Sequence, residues 1–536
     1  MRKNSLARLT VGLLLSLSFL ACARRGPVPV STSPTIPSTA PERVDADVNR
    51  RIRAEGFERS RVMHTAIMLS DVLGARLAGS PEYRQAAEWA RRELASYGLL
   101  KAAHEPWGKR RAASWFVERS SIEMTAPRYA RIVAYPRAWS ASTNGVVRGT
   151  PILTSIRSED DLAPHRGKLR GAIIMNGRVR PDSGRFLPLA HRFTDGELDS
   201  MARITDPGSP RDYWEDSGDY ATTVRQRQRI YELLRDEGVA VVLEPSGLHN
   251  AVRVASFQAY DTDASRYAPA MIVAAADYTR LLNMIEKGAA PTLEVELRTR
   301  TVADDSTGYN VVAELEGSDP ALRDEVVMVG GHFDAWPAGT GATDNAAGVA
   351  VGMEALRILA AIGARPRRTI RIALWDGEEH EEYFGSMGYV RNHFGEPETM
   401  TLKPEHERIS AYYNVDSGTG KIRGIYLQGN AAAGPILRAY LAPFADLGAG
   451  TVTLANTGGT DVMPFVSVGI PAFNFLQDPI DYDTRTHHTS LDVGGMLLEA
   501  DLKQAAVVVA SVLYHTANRQ DRMPRTRLPT PRQASR

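Results

Sequence analysis

The chain of 536 residues is long enough for more than one domain at roughly 100 to 200 residues each, and 43% of it is hydrophobic. Lys plus Arg (64) and Asp plus Glu (63) nearly cancel to +1, so composition offers no basic field suited to nucleic acid. The one cysteine, Cys22, excludes disulfide staples within the chain and any multi-cysteine metal site.

In chain order, residues 1–22 read as an export signal. Arg2 and Lys3 form a basic start, and 11–20 form an apolar run too short to span a bilayer comfortably. Two endings are open. A lipoprotein signal is cut before Cys22, which then carries the lipid. A small-x-small site at Ala21-Cys22-Ala23 gives ordinary secretion instead. The position of the sole cysteine favours the lipoprotein, anchored in the periplasm or at the cell surface. Residues 23–44 follow as a Pro/Ser/Thr-rich tether.

Helical patterning begins near Asp45. Ser80 can cap a helix, Pro81 suits its first position, and Glu82 suits the positive end of the dipole. Ala86, Trp89, Ala90, Leu94 and Tyr97 recur at helical spacing until Gly98 stops the helix. Residues 45–134 are the first part of a main domain. Between 135 and 292 the character changes to short apolar strands (171–177 and 238–243), a helix near 223–237 and polar loops, predicting an inserted, mainly β domain. His191 and His249 stand alone there and read as surface or structural residues.

The second part of the main domain is 293–518. Strands are predicted at 310–315, 325–330, 369–375, 409–415, 424–428 and 471–476, and helices at 345–362, 433–447 and 500–517. Apolar strands interleaved with helices imply an α/β fold, a central sheet covered on both faces. Residues 519–536 are Arg/Pro-rich and predicted to be disordered.

Ligands of such sheets gather at the carboxyl ends of the strands. His332, Glu378, Glu379 and Asp416 all sit just after a strand, Asp344 opens a Gly/Ala-rich helix pattern, and His488 lies in a polar loop. Singly, each is a turn, cap or surface residue. Together, His332, Asp344, Glu379, Asp416 and His488 supply two imidazoles and three carboxylates, a set suited to zinc-like divalent ions.

The segments Gly331-His332-Phe333-Asp334, Gly341-Ala342-Thr343-Asp344-Asn345, Trp375-Asp376-Gly377-Glu378-Glu379, Asn414-Val415-Asp416-Ser417 and Thr486-His487-His488 through Asp492 resemble, in this order, the co-catalytic di-zinc exopeptidases. That family includes bacterial secreted aminopeptidases and glutamate carboxypeptidases. Leu77-Ala78-Gly79-Ser80-Pro81, Gly459-Thr460-Asp461, Gly469-Ile470-Pro471 and Gln477-Asp478 are most similar to the branch of carboxypeptidase Q and its bacterial relatives. The resemblance covers about 45–517, and the insert resembles the protease-associated domain of many members.

The resemblance implies a mixed, mostly parallel sheet sandwiched by helices, and two Zn2+ per chain. His332 and Asp416 would bind one ion and Glu379 and His488 the other, with Asp344 between them. Glu378 would be the general base toward a metal-bridging water, and Asp334 would orient the His332 imidazole. Dipeptides or short peptides would be the substrates, and homodimers are common in the family. Whether the amino or the carboxyl end of the peptide is recognised stays open.

Two departures matter. Relatives often place four residues between the acidic pair and Gly-Ser. Here five residues (380–384) precede Gly385-Ser386, so Glu381-Glu382 are a rival pair. His487 stands where many relatives carry an oxyanion-steadying Tyr, so it is either that donor or the ligand in place of His488. The spacing His488-x-x-x-Asp492 favours His488. Competing functions are a non-catalytic, receptor-like protein of the same fold, which would lack the ligand set, and a cyclase or deacylase, which tends to lack the insert.

Overall fold

Eight strands make the main sheet: β1 (Leu100–Lys109), β2 (Thr307–Leu315), β3 (Val326–His332), β4 (Thr369–Trp375), β5 (Ile409–Asn414), β6 (Ile422–Tyr426), β7 (Thr451–Thr453) and β8 (Ala472–Gln477). Their spatial order is β1-β2-β4-β3-β5-β8-β6-β7. The four central strands β4, β3, β5 and β8 are parallel, while β1, β2 and β6 meet their inner neighbours antiparallel. The sheet is mixed and mostly parallel, as predicted. This computed structural model describes residues 42–531 except 110–113, 180–187, 209–216, 249, 258–263, 303–306 and 380–382. The export signal, most of the tether, His249 and the rival pair Glu381-Glu382 lie outside the described residues.

Both faces of the sheet are covered, which explains why β3 and β5 are apolar without alternation. Val327, Val329, Ala411 and Tyr413 face one core, with α1 (Ala46–Glu58), α2 (Pro81–Ser96), α3 (Ala347–Ala361) and α6 (Glu499–Asn518). Met328, Ala373, Trp375 and Tyr412 face the other, under α4 (Phe384–His393) and the turn Val462–Val466. A further helix, α5 (Gly434–Leu441), adds Ile436 and Leu437 to the first core. Each fully buried aliphatic side chain contributes about 1.5–3 kcal/mol. α3 is buried along nearly its whole length because it lies between the sheet and α6. α2 begins as its sequence requires: the Ser80 hydroxyl accepts the Tyr83 N–H at 3.0 Å, and Gly98 beyond its end has φ +82°.

Strands Ser114–Ala126 and Thr292–Val302 pair antiparallel with each other and stay outside the main sheet. They belong to a four-stranded sheet that packs on a five-stranded one through Ile122, Met124, Val295, Ile173, Val241 and Met271. Three of the four pairings in the five-stranded sheet are parallel. Parallel strands need crossover segments. Helices Asp195–Ala202, Ser217–Asp236 and Ala275–Glu286 therefore give this region more helix than the mainly β expectation allowed.

The tail is a second correction. Through residue 531 it is described, and Met523 is 2% exposed. Arg519 pairs with Glu42 at 2.7 Å, and Arg525 Nη2 donates to the carbonyls of His406 and Ile409 at 2.6 and 2.8 Å. The arginines that made the tail look solvated are what dock it.

Candidate metal centre

The strand ends deliver the site. β3 terminates in His332, which is 1% exposed. A Cβ at Gly331 would lie 2.9 Å from both Asn345 Nδ2 and the Val415 carbonyl oxygen, so glycine lets three segments close on the strand end. Asn345 then ties them: its Nδ2 donates to Val415 O at 2.9 Å, and its Oδ1 accepts the Gly348 N–H at 2.9 Å. That link brings Asp344, before α3, next to Asp416, after β5. Beyond β4, Gly377 at φ +75° turns the chain so that Glu378 and Glu379 both point inward, 9% and 4% exposed.

Asp344 is central. Its Oδ1 lies 3.1 Å from His332 Nε2, and its Oδ2 lies 3.3 Å from His488 Nε2. On the first side, Asp416 Oδ1 is 3.3 Å from His332 Nε2. On the second, Glu379 Oε2 is 2.8 Å from His488 Nε2. The five donors therefore form two groups that share one carboxylate. His332, Asp344 and Glu379 offer donor atoms within 4.8 Å of one another, and so do Asp344, His487 and His488. His487 Nε2 stands farther out, 3.9 Å from Asp344 Oδ2, with its ring stacked on Tyr482. His488 touches two carboxylates and His487 one, which makes His488 the better-placed imidazole.

Asp334 behaves differently from the expectation. His332 Nδ1 meets the main-chain carbonyl of Asp334 at 3.0 Å, whereas the carboxylate is 3.8 Å away. The carboxylate instead accepts the N–H groups of Glu378 and Glu379, at 3.1 and 3.3 Å. A sharp turn after β4 leaves those two amides without a helical or sheet partner, and the buried Asp334 supplies one.

Electrostatically the cavity is overloaded with negative charge. Burial pushes Glu378 and Glu379 well above the carboxylate range, and neighbouring carboxylates add to the push. Burial opposes charge on His332, yet Asp416 and Asp344 outweigh it and hold its imidazole well above the ordinary value. Asp344 Oδ2, Glu379 Oε1 and Asp416 Oδ1 are buried and accept no hydrogen bond among the described residues. Buried carboxylate oxygens are stable when a cation or donor meets them. Two imidazoles, three carboxylates and orphaned oxygens in this arrangement fit divalent zinc-type ions.

Residues 310–513 match the model of peptidase family M28. The chain carries a peptidase family M28 domain. That span runs from β2 into α6 and includes every donor named above. Human carboxypeptidase Q is 25% identical over 482 residues, covering 88% of this chain and 88% of its own. Leupeptin-inactivating enzyme 1 of Streptomyces exfoliatus is 30% identical over 167 residues, 31% of this chain and 35% of its own. Among solved structures, a peptidase M28 precursor from Shewanella amazonensis SB2B has a TM-score of 0.64 at 24% identity, covering 90% of this chain and 98% of its own. A zinc aminopeptidase from Bacillus subtilis has a TM-score of 0.52 at 17% identity, covering 85% and 93%. These structures share the fold.

Several residues around the centre escaped sequence reasoning. Thr460 Oγ1 donates to Asp416 Oδ2 at 2.7 Å and itself accepts from Asn414 Nδ2. Arg76, just before the Leu77–Pro81 segment, is fully buried and donates to the carbonyls of Phe333, Leu69, Thr340 and Gly341. It pins the loops on either side of His332 and Asp344. The Gly459-Thr460-Asp461 motif was a signal for Thr460; nothing in the local pattern marked Arg76. His191, expected to be a surface or structural residue, lies at the surface and bonds Glu197.

Proposed function

We propose that the chain is an exported metallopeptidase whose centre holds two zinc ions and hydrolyses the terminal bond of dipeptides or short peptides. Family and donor set support a zinc-dependent exopeptidase. The observation that carries the two-ion count is Asp344, which faces His332 with one oxygen and His488 with the other. His332 and Asp416 would hold one ion, Glu379 and His488 the second, and Asp344 both. When bound, the ions would polarise the scissile carbonyl and lower the pKa of the attacking water.

Glu378 is the proton carrier. Its carboxyl is buried and has its proton affinity raised, so it can accept a proton from the attacking water and release it to the leaving amine. Asp334 fixes the main chain of Glu378 and Glu379, which sets where each carboxylate points. His487, whose charged form burial disfavours, reaches within 3.9 Å of Asp344 through Nε2 and would donate to the developing oxyanion. Export rests on residues 1–22, with a lipid on Cys22. Among the described residues no helix is long and apolar enough to cross a membrane.

The test is hydrolysis of a dipeptide panel with and without chelator, alongside elemental analysis. Chelation should abolish hydrolysis, zinc should restore it, and the loaded enzyme should contain about two zinc ions per chain. Hydrolysis that survives complete metal removal would defeat the proposal.

A further inference from the structure

We propose that Arg253 binds the free α-carboxylate of the substrate, so that the enzyme is a carboxypeptidase or dipeptidase and reads the carboxyl end of its peptide. This rests on the zinc-exopeptidase reading of the same centre and adds the end of the substrate it recognises.

Arg253 belongs to the segment that leaves the five-stranded sheet, yet it lies along the loop that carries His488. The Val254 N–H donates to the His488 carbonyl at 2.7 Å, and the Ser490 N–H donates to the Val252 carbonyl at 2.9 Å. The Val252 N–H also reaches Ser490 Oγ at 3.1 Å, and Arg253 pairs with Thr489 in an antiparallel bridge. The Arg253 N–H is itself held by Ser246 Oγ at 3.1 Å. Its backbone is thus fixed from both sides, beside the metal-site imidazoles.

The guanidinium is much less satisfied than its backbone. Nη2 donates to the Asp483 carbonyl at 3.2 Å, and no carboxylate lies within ion-pair distance of Arg253 among the described residues. Burial lowers its proton affinity, partly offset by the charge of Asp483. A half-buried cation beside a centre built for two more cations is repelled by them and has lost part of its hydration. An anion lying between the centre and Arg253 relieves both costs. The anion that every unblocked peptide carries is its terminal carboxylate, whose two oxygens match the guanidinium fork. A free α-amine at that spot would meet like charge.

Three substrates separate the ends: a dipeptide with both ends free, its C-terminal amide, and its N-acetyl form with a free carboxylate. Wild-type holoenzyme should discriminate against the amide in either case; a carboxypeptidase should also cleave the N-acetyl substrate, and a dipeptidase should cleave only the doubly free one. Arg253→Gln should raise KM for the free-carboxylate substrates about 10- to 100-fold, with zinc content retained, and should lower the acid-to-amide ratio of kcat/KM at least ~10-fold. Arg253→Lys should recover part of that ratio. Equal loss on acid and amide would make Arg253 a mere support of the His488 loop and overturn the proposal. So would a wild-type enzyme that cleaves amides as well as acids but refuses the N-acetyl substrate. Absence of any chelator-sensitive hydrolysis would instead remove the zinc-exopeptidase reading, and this proposal with it.

Discussion

Asp492 and Thr343 are joined twice: Asp492 Oδ1 accepts the Thr343 main-chain N–H at 2.6 Å and the Thr343 hydroxyl at 2.8 Å. The other oxygen of the same carboxylate accepts the Asp344 N–H at 3.2 Å. The loop after His488 therefore sets the turn that presents Asp344, so the two halves of the centre are assembled against each other.

Removing that clamp should loosen the centre without dissolving the fold. Asp492→Ala is expected to weaken zinc binding by about 10- to 100-fold, as loss of outer-shell support typically does. Competition with a chromogenic chelator measures it. Wild-type affinity in the variant would show that Asp492 does not position Asp344.

Glu378→Gln keeps the shape of the side chain and removes its basicity. Both ions should remain, while kcat falls by about 10²- to 10⁴-fold. Steady-state kinetics with elemental analysis on the same sample decide it, and full turnover would take the proton-carrying role away from Glu378.

The two adjacent histidines should separate cleanly. His488 approaches Asp344 and Glu379, at 3.3 and 2.8 Å, whereas His487 approaches Asp344 at 3.9 Å. His488→Ala should lose close to one zinc ion per chain, and His487→Ala should keep both and lose turnover. The reverse pattern of metal content would exchange their roles.

Arg76 carries a structural load at the metal loops. It is fully buried, burial lowers its pKa to about 10, and it is still charged at neutral pH. Arg76→Met leaves four carbonyls without their charged donor, each such bond contributing about 1.5–3 kcal/mol. Stability in urea should fall by more than ~3 kcal/mol, and Arg76→Lys should rescue little because an ammonium cannot span four acceptors in one plane. A loss within ~0.5 kcal/mol would mean that the loops hold themselves.

Acid should undo a set of buried ion pairs remote from the centre. Burial opposes charge on Glu55, Glu314 and Glu42. Arg357 and Arg59, Arg371 and Lys101, and Arg519 outweigh it and hold all three below the ordinary 4.5. A carboxylate depressed in the folded state stabilises fully above its unfolded pKa and loses that contribution as pH falls through its folded value. The contribution of these three pairs to Tm should therefore be constant above about pH 4.5 and be lost below it, and Glu55→Gln should show a lower Tm at about pH 5 and a shallower decline in acid. Equal slopes in calorimetry would exclude Glu55 as a contributor.

The order and placement of the elements were legible because they follow local rules. β4 spans 369–375, the predicted range, since an apolar run between polar turns marks its own ends. His332, Glu378, Glu379 and Asp416 could be grouped because a sheet covered on both faces leaves its strand ends as the place for buried polar groups, whereas Asp344 and His488 joined them only through the order of the motifs. The helices Asp195–Ala202 and Ala275–Glu286 of the inserted region and the docking of residues 519–531 were missed, whereas the helix expected near 223–237 is Ser217–Asp236. Neither a parallel crossover nor a carbonyl waiting for Arg525 leaves a periodic trace.

By itself the sequence determined which residue types reach the carboxyl edge of the sheet, through strand periodicity, glycine turns and motif order. Tertiary structure decided how those residues share work: that Asp344 divides its oxygens between His332 and His488, that Asp334 holds the amides of Glu378 and Glu379, and that Asp492 clamps Thr343. Thr343 and Asp492 are 149 positions apart, and Arg253 and Asp483 are 230. Hydrogen bonds across such separations depend on how chain segments close in space, which short-range patterning does not encode.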